Sequence, residues 1–135
     1  KQSAACRRIN INCDSSVNLH TDDQLLQIIL SNLIDNANKY SDPHTVIDIM
    51  VRRVKNNHCD GVEISISNMP GENGWPDPKK VFQKYYRGNN EHRLSGSGQG
   101  LYLVANLATI LGGNIIYRPY KMHICFVLWL PNSLA

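Results

Sequence analysis

Two β-rich runs, TVIDIMVRRV (45–54) and GVEISIS (61–67), flank KNNHCDG, and this arrangement constrains the fold more than any other stretch. The Asp60-Gly61 step is a favoured turn pair, so the runs are expected to fold back on each other as an antiparallel hairpin. The rest of the chain must supply partners for that hairpin. RRININ alternates Ile9 and Ile11 with polar neighbours, the pattern of a short strand with one buried face. TDDQLLQIILSNLIDNANKY opens with Thr21 as expected N-cap and acidic residues behind it, which predicts a long helix. KKVFQKYYRG is predicted as a short helical piece, and NNEHRLSGSGQG lacks an apolar pattern and reads as a loop. GLYLVANLATILGG is a second apolar helix, ended by Gly112 and Gly113, which suit the left-handed C-cap. NIIYRPY and HICFVLWLP are predicted as closing strands, with Pro131 stopping the last. Together these predict an α+β, two-layer sandwich: a mixed, mostly antiparallel sheet with helices packed on one face.

Length and charge narrow the function classes. A chain of 135 residues fits a single domain, 1–135, with a core of its own. No apolar run approaches the ~20 residues of a membrane span, so no direct membrane insertion is expected. The net charge of +3 comes from 14 basic and 11 acidic residues scattered along the chain, without the basic block of a nucleic-acid binder. Cys6, Cys13, Cys59 and Cys125 form no CxxC pair, and the five histidines share no metal-ligand spacing, which argues against zinc and against a disulfide framework. A reducing, cytoplasmic setting is the economical expectation. The first residues carry charge with no apolar stretch behind them, unlike a signal peptide.

The long helix carries an anomaly. At about 100° per residue, Gln24, Gln27, Ser31, Asp35 and Asn38 make a solvent face, and Leu26, Leu30, Leu33, Ile34 and Ala37 a core face. Between them runs an edge of Leu25, Ile28, Ile29, Asn32, Asn36 and Lys39, apolar at first and then abruptly polar. Two carboxamides one turn apart and an ammonium suit a magnesium ion shared with phosphate oxygens, because magnesium takes few protein ligands and keeps waters and phosphates. An isolated asparagine pair would more often cap backbone groups or face solvent.

A second motif removes that isolation. SGSGQGLYLV sets Gly96, Gly98 and Gly100 directly before a helix, where free N–H groups and the helix dipole favour an anion. It is not the dinucleotide fingerprint, since Leu101 stands where glycine is needed, and no Gly-Lys-Ser/Thr follows to make a Walker loop.

NLIDNANKYS, then Phe82 to Arg87, then GSGQGL and LGGNI, in this order, resemble the N, F and G2 boxes and the later glycine pair of the catalytic ATP-binding domain of bacterial sensor histidine kinases, in the GHKL superfamily. The resemblance covers nearly the whole chain and implies ATP bound between the first helix and a lid over Gly88 to Gln99. It implies Asn36 as principal magnesium ligand with Asn32 beside it, and Lys39 and Tyr40 near the phosphates and ribose. Arg87 and Arg93 would approach the γ-phosphate, and Phe82 would sit at the root of the lid. Gly96, Ser97, Gly98, Gly100 and Leu101 of the G2 box would hold the phosphates.

Asn32 separates subclasses. Relatives that hydrolyse ATP carry glutamate there as general base, and an amide cannot take a proton, so handing the phosphoryl group to a side chain is expected instead of rapid hydrolysis. The G1 box departs from the family: NMPGENG has Asn68 for aspartate and Pro70 for the first glycine, with Gly71 following. A carboxamide can still read adenine by accepting from its amine and donating to a ring nitrogen. None of the five histidines has the context of the family's phosphoacceptor. The implied partners are ATP, a dimerisation and histidine-phosphotransfer domain of the same parent, and a downstream response regulator, with the parent attached to the inner membrane. The altered G1 box leaves an alternative, a degenerate nucleotide-binding regulatory module.

Overall fold

The structure, a computed structural model, describes residues 9–84 and 100–133. Five strands form one sheet in the order β1-β2-β3-β5-β4, with β1 at Ile9–Cys13, β2 at Ile47–Asn56, β3 at Cys59–Asn68, β4 at Asn114–Tyr117 and β5 at Ile124–Pro131. Only β1 and β2 are parallel, joined by the crossover helix α1 (Asp23–Tyr40); the other neighbours are antiparallel. With α2 (Gly100–Ile110), α1 covers one face, so the expected two-layer, mostly antiparallel sandwich is what forms. Among the described residues no helix is long and apolar enough to cross a membrane.

The core lies between the layers. Strand alternation sends Val62, Ile64 and Ile66 of β3 and Ile124, Phe126, Leu128 and Leu130 of β5 inward, against Ile29 and Leu33 of α1 and Val104 and Ala108 of α2. Trp129 points to the other face, where its indole N–H donates to the Val54 carbonyl at 2.9 Å.

Several local expectations are corrected. The hairpin turns at Asn57 and His58, whose φ values of 50° and 66° are those of a two-residue type I′ turn. Asp60 and Gly61 lie inside β3, paired with Lys55 and Val54. A side chain at position 61 would strike the Trp129 ring, which is why glycine stands there. β1 has no buried face: Ile9 and Ile11 are 41% and 68% exposed, because the helices pack over β3, β4 and β5 and leave this edge strand uncovered. The N-cap of α1 is Asp22, whose carboxylate accepts from Leu25 N at 2.9 Å, not Thr21. KKVFQKYYRG forms no regular helix within the described residues. Its first part is a set of turns, with Val81 N bonded to Asp77 O and Gln83 N to Lys80 O. The end of α2 behaves as expected: Gly112, at φ 85°, donates to Thr109 O while Gly113 N reaches Ala108 O, the paired bonds of a Schellman cap.

Candidate nucleotide site

The buried stripe of α1 runs through Ile29, Leu33, Asn36, Ala37 and Tyr40. It is rotated from the expected core face: Ile29 is fully buried, while Leu26, Leu30 and Ile34 are only partly so. Asn38, expected in solvent, is half-buried, and its side-chain oxygen has no partner among the described residues. The rotation carries Asn36 into the line of core residues. It is 8% exposed, and its amide nitrogen is buried without a hydrogen-bond partner among the described residues. A buried carboxamide in that condition costs the fold about 1–3 kcal/mol. Folding alone gives no reason to keep it.

Asn32 stands one turn earlier at the border of the stripe. Its NH2 donates to the Ile28 carbonyl at 2.8 Å, which fixes the side chain and turns its oxygen outward. That oxygen faces Gly100, the first residue of α2, where an added β-carbon would lie 3.1 Å from it. The asparagine stripe and the end of the glycine segment, distant in sequence, therefore meet. Leu101 turns its side chain into the core, which seats the start of α2 and leaves backbone N–H groups of the first turn without intrahelical acceptors.

The segment after β3 runs beside the end of α1. Gly71 N donates to Tyr40 O at 2.7 Å, Asp42 N donates to Met69 O at 2.9 Å, and Ser41 bridges Pro70. Gly71 is required by this approach, since a β-carbon there would come 2.7 Å from Ser41 O. Asn73 caps the last turn of α1 by donating to Lys39 O at 2.7 Å, a contact the sequence pattern did not announce. Asn68 is 1% exposed and continues the inward-facing series of β3 to its end; its NH2 donates to Met69 O at 3.2 Å.

The remaining site residues divide clearly. Lys39 is half-buried in the last turn of α1, and Tyr40 is buried in the core at 3% exposure. Phe82 meets Phe126 edge-on, with centroids 5.9 Å apart, so its ring belongs to the packing against the core. Lys84, expected to be purely solvated, lies 5.9 Å from the ring centroid of Tyr102 in the first turn of α2. Arg87, Arg93, Gly96, Ser97 and Gly98 lie outside the described residues. Among the described residues no group of three or more histidine, cysteine, aspartate or glutamate side chains could hold a metal ion.

Residues 21–134 match the family model described as histidine kinase-, DNA gyrase B-, and HSP90-like ATPase. The sensor histidine kinase HprS of Escherichia coli is 34% identical over 122 residues, spanning 90% of this chain and 25% of the relative. The sensor histidine kinase ArsS of Helicobacter pylori is 30% identical over 110 residues, 82% of this chain and 23% of that protein. The chain thus spans about a quarter of the length of these relatives. Among solved structures, the nucleotide-free catalytic domain of histidine kinase ThkA superposes with a TM-score of 0.74 at 18% identity, covering 93% of this chain and 79% of that one. The mycobacterial sensor histidine kinase MprB gives 0.66 at 23% identity, covering 94% and 86%; at these identities the likeness speaks for the fold. The chain belongs to the family of histidine kinase-, DNA gyrase B- and HSP90-like ATPases, as an ATP-binding catalytic domain of the sensor histidine kinase kind.

Proposed function

We propose that this domain binds Mg-ATP between the second half of α1, the 68–73 segment and the start of α2, and hands the γ-phosphate to a histidine on a separate dimerisation domain. The observation that carries the reading is the meeting of Asn32 Oδ1 with Gly100, which sets the carboxamide stripe beside the N-terminus of α2. The donor set fits magnesium. Asn36 has a buried amide nitrogen that lacks a partner among the described residues, and rotation about its Cβ–Cγ bond can present its oxygen; Asn32 keeps its oxygen open because its NH2 is engaged by Ile28. Two neutral oxygens leave room for phosphate oxygens and water, the environment magnesium prefers. When bound, the ion neutralises phosphate charge. The chain's own part is positioning. Lys39 adds positive charge in the last turn of α1, the start of α2 offers N–H groups, and the seam at Tyr40–Gly71 holds the opposite wall. Arg87 and Arg93 are assigned to the γ-phosphate on the family resemblance.

Asn32 also supports transfer over hydrolysis, because its oxygen accepts hydrogen bonds but takes no proton at neutral pH. The parent protein is read as inner-membrane attached, with a response regulator downstream. The decisive experiment titrates a non-hydrolysable ATP analogue with and without magnesium, for the wild type and Asn36→Ala. The wild type should bind more tightly with magnesium, and the variant should lose that dependence. Equal magnesium dependence in both proteins would overturn the assignment. Supplying dimerisation helices should yield acid-labile phosphate on them; steady release of inorganic phosphate with no protein acceptor would favour an ATPase instead.

A further inference from the structure

The carbonyls in the last turn of an α-helix find no donors within the helix and carry the negative end of its dipole. In α1 two of them are taken by one short turn. Gly71 N donates to Tyr40 O at 2.7 Å, and the side-chain NH2 of Asn73 donates to Lys39 O at 2.7 Å, across 34 residues of sequence. The shape of the turn allows both reaches. Gly74 N bonds back to Gly71 O at 3.0 Å, and Gly74 leaves the turn at φ 74°, in the left-handed region that favours glycine. A carbonyl can only accept, so the contact fixes which end of the Asn73 amide faces the helix. The bond is part-buried, where water weakens it less than at an open surface.

Resting on the nucleotide site described above, we propose that Asn73 is a positioning residue for the triphosphate: it masks the negative end of α1 and fixes the backbone from which Lys39 departs. In that site the phosphates lie beside the second half of α1, so the helix turns its unfavourable end toward them. A bare Lys39 carbonyl would add to the repulsion that the positive charge of the same residue opposes. The Asn73 NH2 sets a positive partial charge against that oxygen, which reduces the opposing field without adding a formal charge. Holding the carbonyl also holds the peptide plane after Lys39, and with it the turn that carries the lysine. Both effects act on the charged part of the nucleotide. A cap that served the fold alone would weaken charged and uncharged ligands alike.

The test measures binding of a non-hydrolysable ATP analogue with magnesium, at low and high salt, in the wild type, Asn73→Ala and Asn73→Asp. Adenosine affinity is read by displacement of the labelled analogue, and urea unfolding follows the fold of each protein separately. Asn73→Ala should weaken the ATP analogue by about three- to tenfold at low salt and adenosine by no more than about twofold. In Asn73→Asp a carboxylate oxygen faces the Lys39 carbonyl and a full negative charge joins the helix end, so the loss should exceed roughly tenfold. Salt should shrink both losses, because it screens charge and leaves a lost structural bond as it was. Equal losses for the two ligands, losses that salt does not reduce, or an unchanged affinity for the analogue overturn the proposal while leaving the nucleotide site standing. If the wild type does not bind the analogue, the site itself falls, and this inference with it.

Discussion

Asn32 Oδ1 and Gly100 stand so close that a β-carbon on the glycine would approach the oxygen to 3.1 Å, and this contact joins the middle of α1 to the first residue of α2. Gly100→Ala therefore has opposed effects. Alanine favours the helix by up to about 1 kcal/mol, while its methyl forces the Asn32 carboxamide to give by a few tenths of an ångström. The expected outcome is unchanged or slightly raised thermal stability with a several-fold weaker affinity for the ATP analogue. Calorimetry and ligand titration on the same preparation would check both.

Asn36 offers a sharper separation of stability from function. Its amide nitrogen is buried and has no partner among the described residues, so Asn36→Leu should raise the stability of the unliganded domain by about 1 kcal/mol. Magnesium-dependent nucleotide binding should vanish in the same variant. Urea unfolding that showed destabilisation would indicate that the amide serves the fold.

His58 occupies the second position of the β2–β3 turn at φ 66°, a region in which an L side chain is strained. His58→Gly makes the favoured Asn-Gly turn. Relief of roughly 1–2 kcal/mol, less the entropy glycine loses on folding, leaves a gain of about 0.5–1 kcal/mol. The turn lies at the opposite end of β3 from Asn68, so nucleotide affinity should not move. A shift in denaturation midpoint at constant Kd is the expected reading.

Cys125 sits in a groove on the uncovered face of the sheet with Asp48, Ser67, Tyr120 and His123, and burial pushes its thiol up from the usual range despite the opposing pull of the Arg118 charge. The thiolate is the reactive form, so Cys125 should be alkylated later than the exposed Cys13 and Cys59 at mildly alkaline pH. Because the folded value is raised, its contribution to stability is intact below the unfolded thiol's pKa and is lost as pH climbs through the folded one. Peptide-resolved mass spectrometry after timed alkylation would show the order.

How far the sequence reached depends on the element. Alternation in β3 and β5 and the apolar pattern of the helices were enough for the layers, since burial of one face leaves few other arrangements. The Asp-Gly step is a strong local turn signal, while Gly61 answers to Trp129, 68 residues on and outside any local window. On α1 the stripe was correct in membership near Asn32 and Asn36, but the buried centre was rotated toward Ile29, because periodicity fixes which residues share a face and not where neighbouring layers press on it. The role of Asn73 as a cap on α1 depends on a chain crossing that no local pattern records.

The paired bonds from Gly71 to Tyr40 and from Asp42 to Met69 stitch the exit of β3 to the exit of α1. A fluctuation that frays one must unzip the other, so the two stretches behave as one mechanical unit. Their amide protons at Asp42 and Gly71 should exchange with deuterium at a common rate, and a nucleotide that grips either stretch should slow both together.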